Sequence, residues 1–65
     1  MPNNLKISLA AARVNADLTQ EEAAQLMKIS KSTLVSWEKH KTFPSVSQAE
    51  KLYALYNRPK DSIIF

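Results

Sequence analysis

The stretch LMKISKSTLVSWEKH, residues 26–40, has the pattern of one helix ending, a very short connection and a second helix. Ser30 is a good N-cap for the second helix, where Leu34 and Trp37 are three residues apart and share one face. Because only about Lys28 and Ile29 join the two helices, we expect the helices to cross steeply. Such a bend usually needs a residue with positive φ, and glycine adopts that conformation most readily. The chain contains no glycine, so another residue must make the bend.

Two helices are predicted before the bend. Leu5, Leu9 and Ala12 recur at helical spacing, which predicts a first helix over about residues 4–16. Thr19 and Glu22 have the spacing of a capping box, which predicts the start of the second helix. The buried side of this second helix is predicted to be Ala23, Leu26 and Met27.

A fourth helix is predicted after Pro44, which biases the preceding residue towards extended geometry. Its N-cap is Ser45 or Ser47, since each precedes Gln or Glu by three residues. Ser45 is favoured because Val46 would otherwise lie outside the core. The apolar side of this helix is predicted to be Ala49, Leu52, Tyr53 and Tyr56. Residues 61–65 are expected to add a final turn or a short extended end, and no window alternates for long enough to predict a sheet.

These signals predict an all-α fold, a compact bundle of four or five helices in one domain over residues 1–65. A chain of 65 residues is near the lower size limit for an independent core, and its 45% hydrophobic share argues against disorder. The predicted core is Leu9, Ala24, Met27, Ile29, Leu34, Trp37, Leu52 and Leu55.

Charge is concentrated in the stretch around the bend. Residues 28–41 contain four lysines and one glutamate, which accounts for the whole formal net charge of +3, since five bases and five acids balance elsewhere. A basic patch of this kind suits a polyanionic partner. A solvated face with chance clustering is the alternative on charge alone.

The composition argues against an enzyme, a metal site and a membrane protein. The chain has no cysteine, one histidine, no glycine loop for phosphates and no HExxH spacing. The N-terminal residues are apolar only in patches, so they match neither a signal peptide nor a membrane span. We therefore expect no cofactor, no metal and no small-molecule substrate, and a cytoplasmic protein because cysteine is absent.

The segment LTQEEAAQLMKISKSTLVSWEKHKTFPS, residues 18–45, resembles the phage repressor and Cro-like family of helix-turn-helix DNA-binding regulators, the xenobiotic-response-element type. The match covers about residues 5–55. Ala24 is the small residue that the family has where the two helices cross closely, and a larger side chain there would push the axes apart. The other matching positions are Gln20, Ile29, Leu34 and Trp37. The resemblance implies a lambda-repressor-like DNA-binding domain.

The resemblance also indicates where the chain needs left-handed residues and which two charged residues form an ion pair. Similar sequences commonly have glycine where this chain has Asp17, Lys28 and His40. Asp enters the left-handed region fairly readily, whereas Lys and His do so at a cost of about 1 kcal/mol or more. Arg13 and Glu38 occupy places where similar proteins pair the first helix with the end of the third, although two unrelated surface charges are the alternative.

The resemblance makes residues 31–39 the recognition helix in the major groove. With Leu34 and Trp37 facing inward, helical geometry puts Ser32, Val35, Ser36 and Lys39 on the outer stripe. The predicted base-contacting residues are Lys31, Ser32, Val35 and Ser36. The predicted phosphate-contacting residues are Gln20, Lys39, His40 and Lys41. Solvated surface is the alternative for the serines and for Val35.

The functional hypothesis is a regulator that binds specific double-stranded DNA, expected to be a repressor of phage or bacterial origin and associated with the nucleoid. It is expected to bind its operator as a homodimer. The rival class is a protein-interaction module that binds another regulator through Ile63, Ile64 and Phe65. An antitoxin or excision regulator would use the same mechanism, so the sequence leaves that alternative open.

Overall fold

The structure is a computed structural model that describes residues 5–65. In this range the elements are β1 (Ile7–Ser8), α1 (Leu9–Asn15), α2 (Gln20–Met27), α3 (Lys31–Glu38), α4 (Val46–Leu55) and β2 (Ile63–Ile64). The predicted all-α bundle is confirmed, with four helices over the described residues. None of these helices has the length and apolar character needed to cross a membrane.

Each helix begins at a side-chain cap. The hydroxyls of Ser8, Thr19, Ser30 and Ser45 each accept a hydrogen bond from the backbone N–H three residues later, at 3.0–3.2 Å. The structure confirms the capping box at α2 and places another at α4. Ser45 is therefore the cap of α4, as predicted. The reason given for it was wrong, because Val46 is 79% exposed and contributes nothing to the core.

The first helix is shorter than the sequence indicates. It begins at Leu9, and the predicted start at Asn4 lies outside the described residues. Leu5 continues the helical spacing but is 71% exposed. The residues after it are extended because their backbone finds partners near the other end of the chain, where the Ile7 N–H donates to the Ser62 carbonyl at 3.0 Å.

We call the pairing of β1 with β2 the terminal clasp. The strands are parallel, with Ile7 opposite Ile63 and Ser8 opposite Ile64. Arg58 strengthens the clasp, since its Nη2 donates to the Leu5 carbonyl at 2.6 Å. The expected extended end over residues 61–65 is thus confirmed, whereas the sheet that it forms was not predicted.

The core agrees closely with the predicted one. Leu9, Ala24, Met27, Leu34, Trp37 and Leu52 are buried, while Ile29 and Leu55 are partly buried and pack against them. Buried hydrophobic residues that the predicted core left out are Ala12, Ala23, Tyr56 and Ile63. Leu26 was predicted to lie on the buried side of α2, and this prediction was wrong, because Leu26 is 59% exposed. The buried face of α2 is centred about 100° around the helix axis from Leu26.

The bend between α2 and α3 is made by a lysine in the left-handed conformation. Lys28 has φ 59° and ψ 42° and ends α2, and the next N–H, that of Ile29, donates to the Ala24 carbonyl at 3.0 Å. Asp17 and His40 have φ of 60° and 61°. All three positions where similar sequences have glycine are therefore left-handed here without glycine.

Candidate nucleic-acid interface

The outer face of α3 is set by the two side chains that α3 buries. Leu34 is fully buried and Trp37 is 4% exposed, so the helix cannot rotate without removing both from the core. Lys31, Ser32 and Lys39 are then exposed on the opposite side. The inward pair thus determines which side chains face outward, as the helical spacing predicted.

A shallow concave surface of about 550 Å³ runs along this outer face, and we call it the α3 groove. It is lined by Lys31, Ser32, Val35, Ser36, Lys39 and Lys41. Three lysines give it positive charge, two serines supply hydroxyl donors and acceptors, and one valine supplies an apolar contact. The groove brings together all four residues predicted to contact bases and two of the four predicted to contact phosphates.

The other two predicted phosphate-contacting residues lie outside the lining of the groove. Gln20 begins α2, and its Nε2 donates to the Glu38 Oε1 at 3.0 Å, so part of its amide is engaged within the protein. His40 is exposed and lies between Lys39 and Lys41 in the turn that follows α3. Both predicted phosphate contacts remain predictions.

A buried ion pair holds the C-terminal end of α3 against the rest of the domain. The Arg13 Nε lies 2.7 Å from the Glu38 Oε2, and these side chains are only 14% and 6% exposed. The Nη1 of Arg13 also donates to the Leu18 carbonyl at 2.8 Å. With the Gln20 contact, this network links α1, the α1–α2 turn, α2 and α3. We call this network the polar brace; it consists of the side chains of Arg13, Gln20 and Glu38 and the Leu18 carbonyl. It confirms the predicted pairing of Arg13 with Glu38.

Tyr56 lies close enough to the polar brace to be affected by its charges. Burial and, to a lesser extent, the Glu38 carboxylate raise the pKa of the Tyr56 hydroxyl to about 12, against the opposing effect of Arg13. The sequence placed Tyr56 on the apolar side of α4 but could not show its proximity to the ion pair. Its phenol therefore stays protonated at physiological pH.

An ion pair at the edge of the groove was not predicted. The Lys31 Nζ lies 3.8 Å from the Glu21 Oε1, with side chains 52% and 74% exposed. The two residues belong to the first turns of α3 and α2. Sequence spacing does not show this contact, because it depends on the angle at which the helices cross.

Two helices joined by a left-handed turn, with the second presenting a basic outer face, define a helix-turn-helix DNA-binding domain. Residues 9–63 match the model of the helix-turn-helix family, and the chain belongs to its phage repressor and Cro-like branch. This is a family of DNA-binding transcription regulators and not an enzyme family. Searches of curated proteins and of solved structures found no significant match.

Proposed function

We propose that the protein is a sequence-specific repressor of phage or bacterial origin that places α3 and its C-cap Lys39, residues 31–39, in the major groove of its operator. The observation that carries this proposal is the α3 groove, which collects three lysines on a face that the buried Leu34 and Trp37 hold outward. The major groove of duplex DNA is wide enough to admit an α-helix, and its flanking phosphates attract lysine side chains. A protein of this kind acts at the nucleoid, where its partner is.

Residues 31–36 of α3 are assigned to reading bases. Lys31, Ser32 and Ser36 can exchange hydrogen bonds with base edges, and Val35 can contact a thymine methyl group. All four line the groove. These contacts exist with some base pairs and not with others, so they give sequence preference.

The remaining basic residues are assigned to positioning the protein on the DNA backbone. Lys39, His40 and Lys41 follow the reading part of α3, and phosphates carry the same charge under every base pair. Gln20 is assigned to a phosphate at the N-terminus of α2, where helix amides favour an anion. Because its Nε2 is engaged with Glu38, the backbone amides are the stronger part of this site.

A homodimer is proposed because one module reads too few base pairs for useful specificity. Half-site centres are expected roughly 34 Å apart on a pseudo-palindrome. The contact between copies is assigned to the late part of the chain, near α4 or residues 63–65, since α3 must stay free; Ile64 there is 49% exposed. A sedimentation experiment showing a monomer at high concentration, with one protein per operator, would reject the dimer.

The first experiment is selection of bound fragments from genomic DNA, followed by footprinting of the best site. A reporter transcribed across that site should lose expression when the protein is present, and a gain would reject the repressor role. If no DNA binds above the random background, the interaction-module alternative replaces this proposal. Binding should then depend on Ile64 and Phe65, since Ile63 is buried in the core and is not available to a partner.

Substitutions at fixed salt separate reading from positioning. Lys39→Ala or Lys41→Ala should weaken binding to the operator and to random DNA alike and reduce the salt slope by about one. Ser32→Ala should cost about 1 to 3 kcal/mol on the operator and much less on random DNA. Lys60→Ala is the matched control, because Lys60 is exposed but does not line the groove. Equal losses on both DNAs for Ser32→Ala would contradict the base-reading assignment.

A further inference from the structure

Glu21 is an acidic residue in a region that would meet a polyanion. Its carboxylate is 3.8 Å from the Lys31 ammonium, and Lys31 lines the α3 groove. Its side chain is 74% exposed, so it lies outside the core. Its neighbour Glu22 is used differently, because the Glu22 Oε1 accepts the Thr19 N–H in the capping box of α2. Capping therefore accounts for Glu22 and leaves Glu21 without a structural role of that kind.

The pair is a poor stabiliser of the fold. Exposed ion pairs at this separation contribute little because water and salt screen them and because both side chains lose conformational freedom. The same two charges matter more against DNA, where the approaching phosphates raise the local negative potential and part of the water is excluded. An acid there opposes every phosphate equally, whatever the base sequence.

We propose that Glu21 is a specificity-determining residue of the DNA-binding face. When this face meets DNA, the Glu21 carboxylate attracts the Lys31 ammonium and repels phosphates, so Lys31 is directed to a base edge, where guanine O6 and N7 accept from lysine. Specificity is a difference between affinities, and a group that weakens binding to wrong sites increases it. This inference rests on the proposed DNA-reading function of α3.

Glu21→Gln tests the inference because it keeps the side-chain length and removes the charge. Affinity for random DNA should rise about threefold to tenfold, and the salt slope on random DNA should steepen by about one as Lys31 engages a phosphate. Affinity for the selected operator should change by less than about twofold, because there the relief of phosphate repulsion is offset by the loss of the Lys31 contact with a base. The ratio of operator to random affinity should therefore fall at least about 1.5-fold. Repeating the selection with this variant should show weaker preference for guanine at one position.

Glu50→Gln is the matched control, since Glu50 is exposed on α4, does not line the groove and changes the net charge equally. It should raise both affinities by the same small factor, leaving their ratio unchanged. Lys31→Ala completes a double-mutant cycle, and in that background Glu21→Gln should no longer change the ratio. Trp37 fluorescence and helical circular dichroism close to those of the wild type verify that each variant is folded. Glu21→Ala removes the same charge and provides a second test.

Three results would overturn the inference while the proposed function stands. They are an unchanged affinity ratio in Glu21→Gln, an equal change in Glu50→Gln, and an undiminished effect of Glu21→Gln without the Lys31 side chain. A wild-type protein that does not distinguish its selected site from random DNA would instead overturn the proposed function, and this inference with it.

Discussion

Replacing Lys28 by glycine tests whether the left-handed turn between α2 and α3 is strained. Lys28 has φ 59° and ψ 42°, a conformation that costs a residue with a Cβ atom about 1 to 2 kcal/mol. Glycine removes this strain but loses about 0.5 to 1 kcal/mol more in conformational entropy on folding. Lys28 is exposed, so few packing contacts are lost. Lys28→Gly should therefore be neutral or stabilising by up to about 1 kcal/mol.

Urea unfolding followed by tryptophan fluorescence measures this change. Trp37 is the single tryptophan of the chain and is 4% exposed, so its emission reports loss of the core. The dependence of the free energy of unfolding on urea is about 1 kcal/mol/M for a small domain. A gain of about 1 kcal/mol would raise the midpoint by about 1 M at unchanged slope.

Two control variants separate backbone strain from other effects of removing lysine. Lys28→Ala removes the charge and keeps the Cβ atom, so it should show no comparable gain. Lys39→Gly changes another lysine at a helix end, but with φ −89°, and should destabilise by about 0.5 to 1 kcal/mol. A loss well above 1 kcal/mol in Lys28→Gly, or an equal gain in Lys28→Ala, would refute the argument from strain.

Three further predictions concern the core and the polar brace. Leu34→Ala should cost about 2 to 5 kcal/mol in thermal or urea unfolding, enough to unfold much of a domain this small, and a loss below 1 kcal/mol would contradict its central position. Glu38→Ala should cost about 3 to 5 kcal/mol because it leaves a mostly buried guanidinium without its carboxylate, and Glu38→Gln should cost less. Tyr56 has a folded pKa of about 12 against 10.0 unfolded, so its contribution is complete below pH 10 and is lost as the pH rises to 12. Tyr56→Phe should make the fall in stability between pH 10 and pH 12 shallower, and an unchanged slope would contradict the raised pKa.

The predictable parts of the fold are those that local chemistry determines. Thr19, Ser30 and Ser45 were identified as caps because a hydroxyl and an amide three residues later meet within one turn. Leu34 and Trp37 were assigned to the core from their spacing, and this assignment also gave the outer residues that line the α3 groove. The left-handed turns were located by resemblance, since lysine and histidine carry no signal of positive φ themselves.

The errors came from contacts between distant parts of the chain. Leu5 has helical spacing with Leu9, but pairing with residues near position 63 keeps the preceding segment extended. Leu26 is apolar and exposed because α2 buries Ala23, Ala24 and Met27, which lie on another side of the helix. The contact of Glu21 with Lys31 likewise needs the crossing angle of two helices, which no local pattern states.

The terminal clasp has a consequence for how the domain reaches its native state. Ile7 and Ile63 are paired although they are 56 positions apart in the chain, whereas the caps and helical bonds join residues three or four apart. Local contacts form early, and closing a long loop adds an entropic barrier that they do not have. During synthesis β1 cannot pair with β2 until almost all of the described residues have been translated. Because helices of 7 to 10 residues are marginal until they pack together, we expect closure of the two strands to be among the last steps of folding.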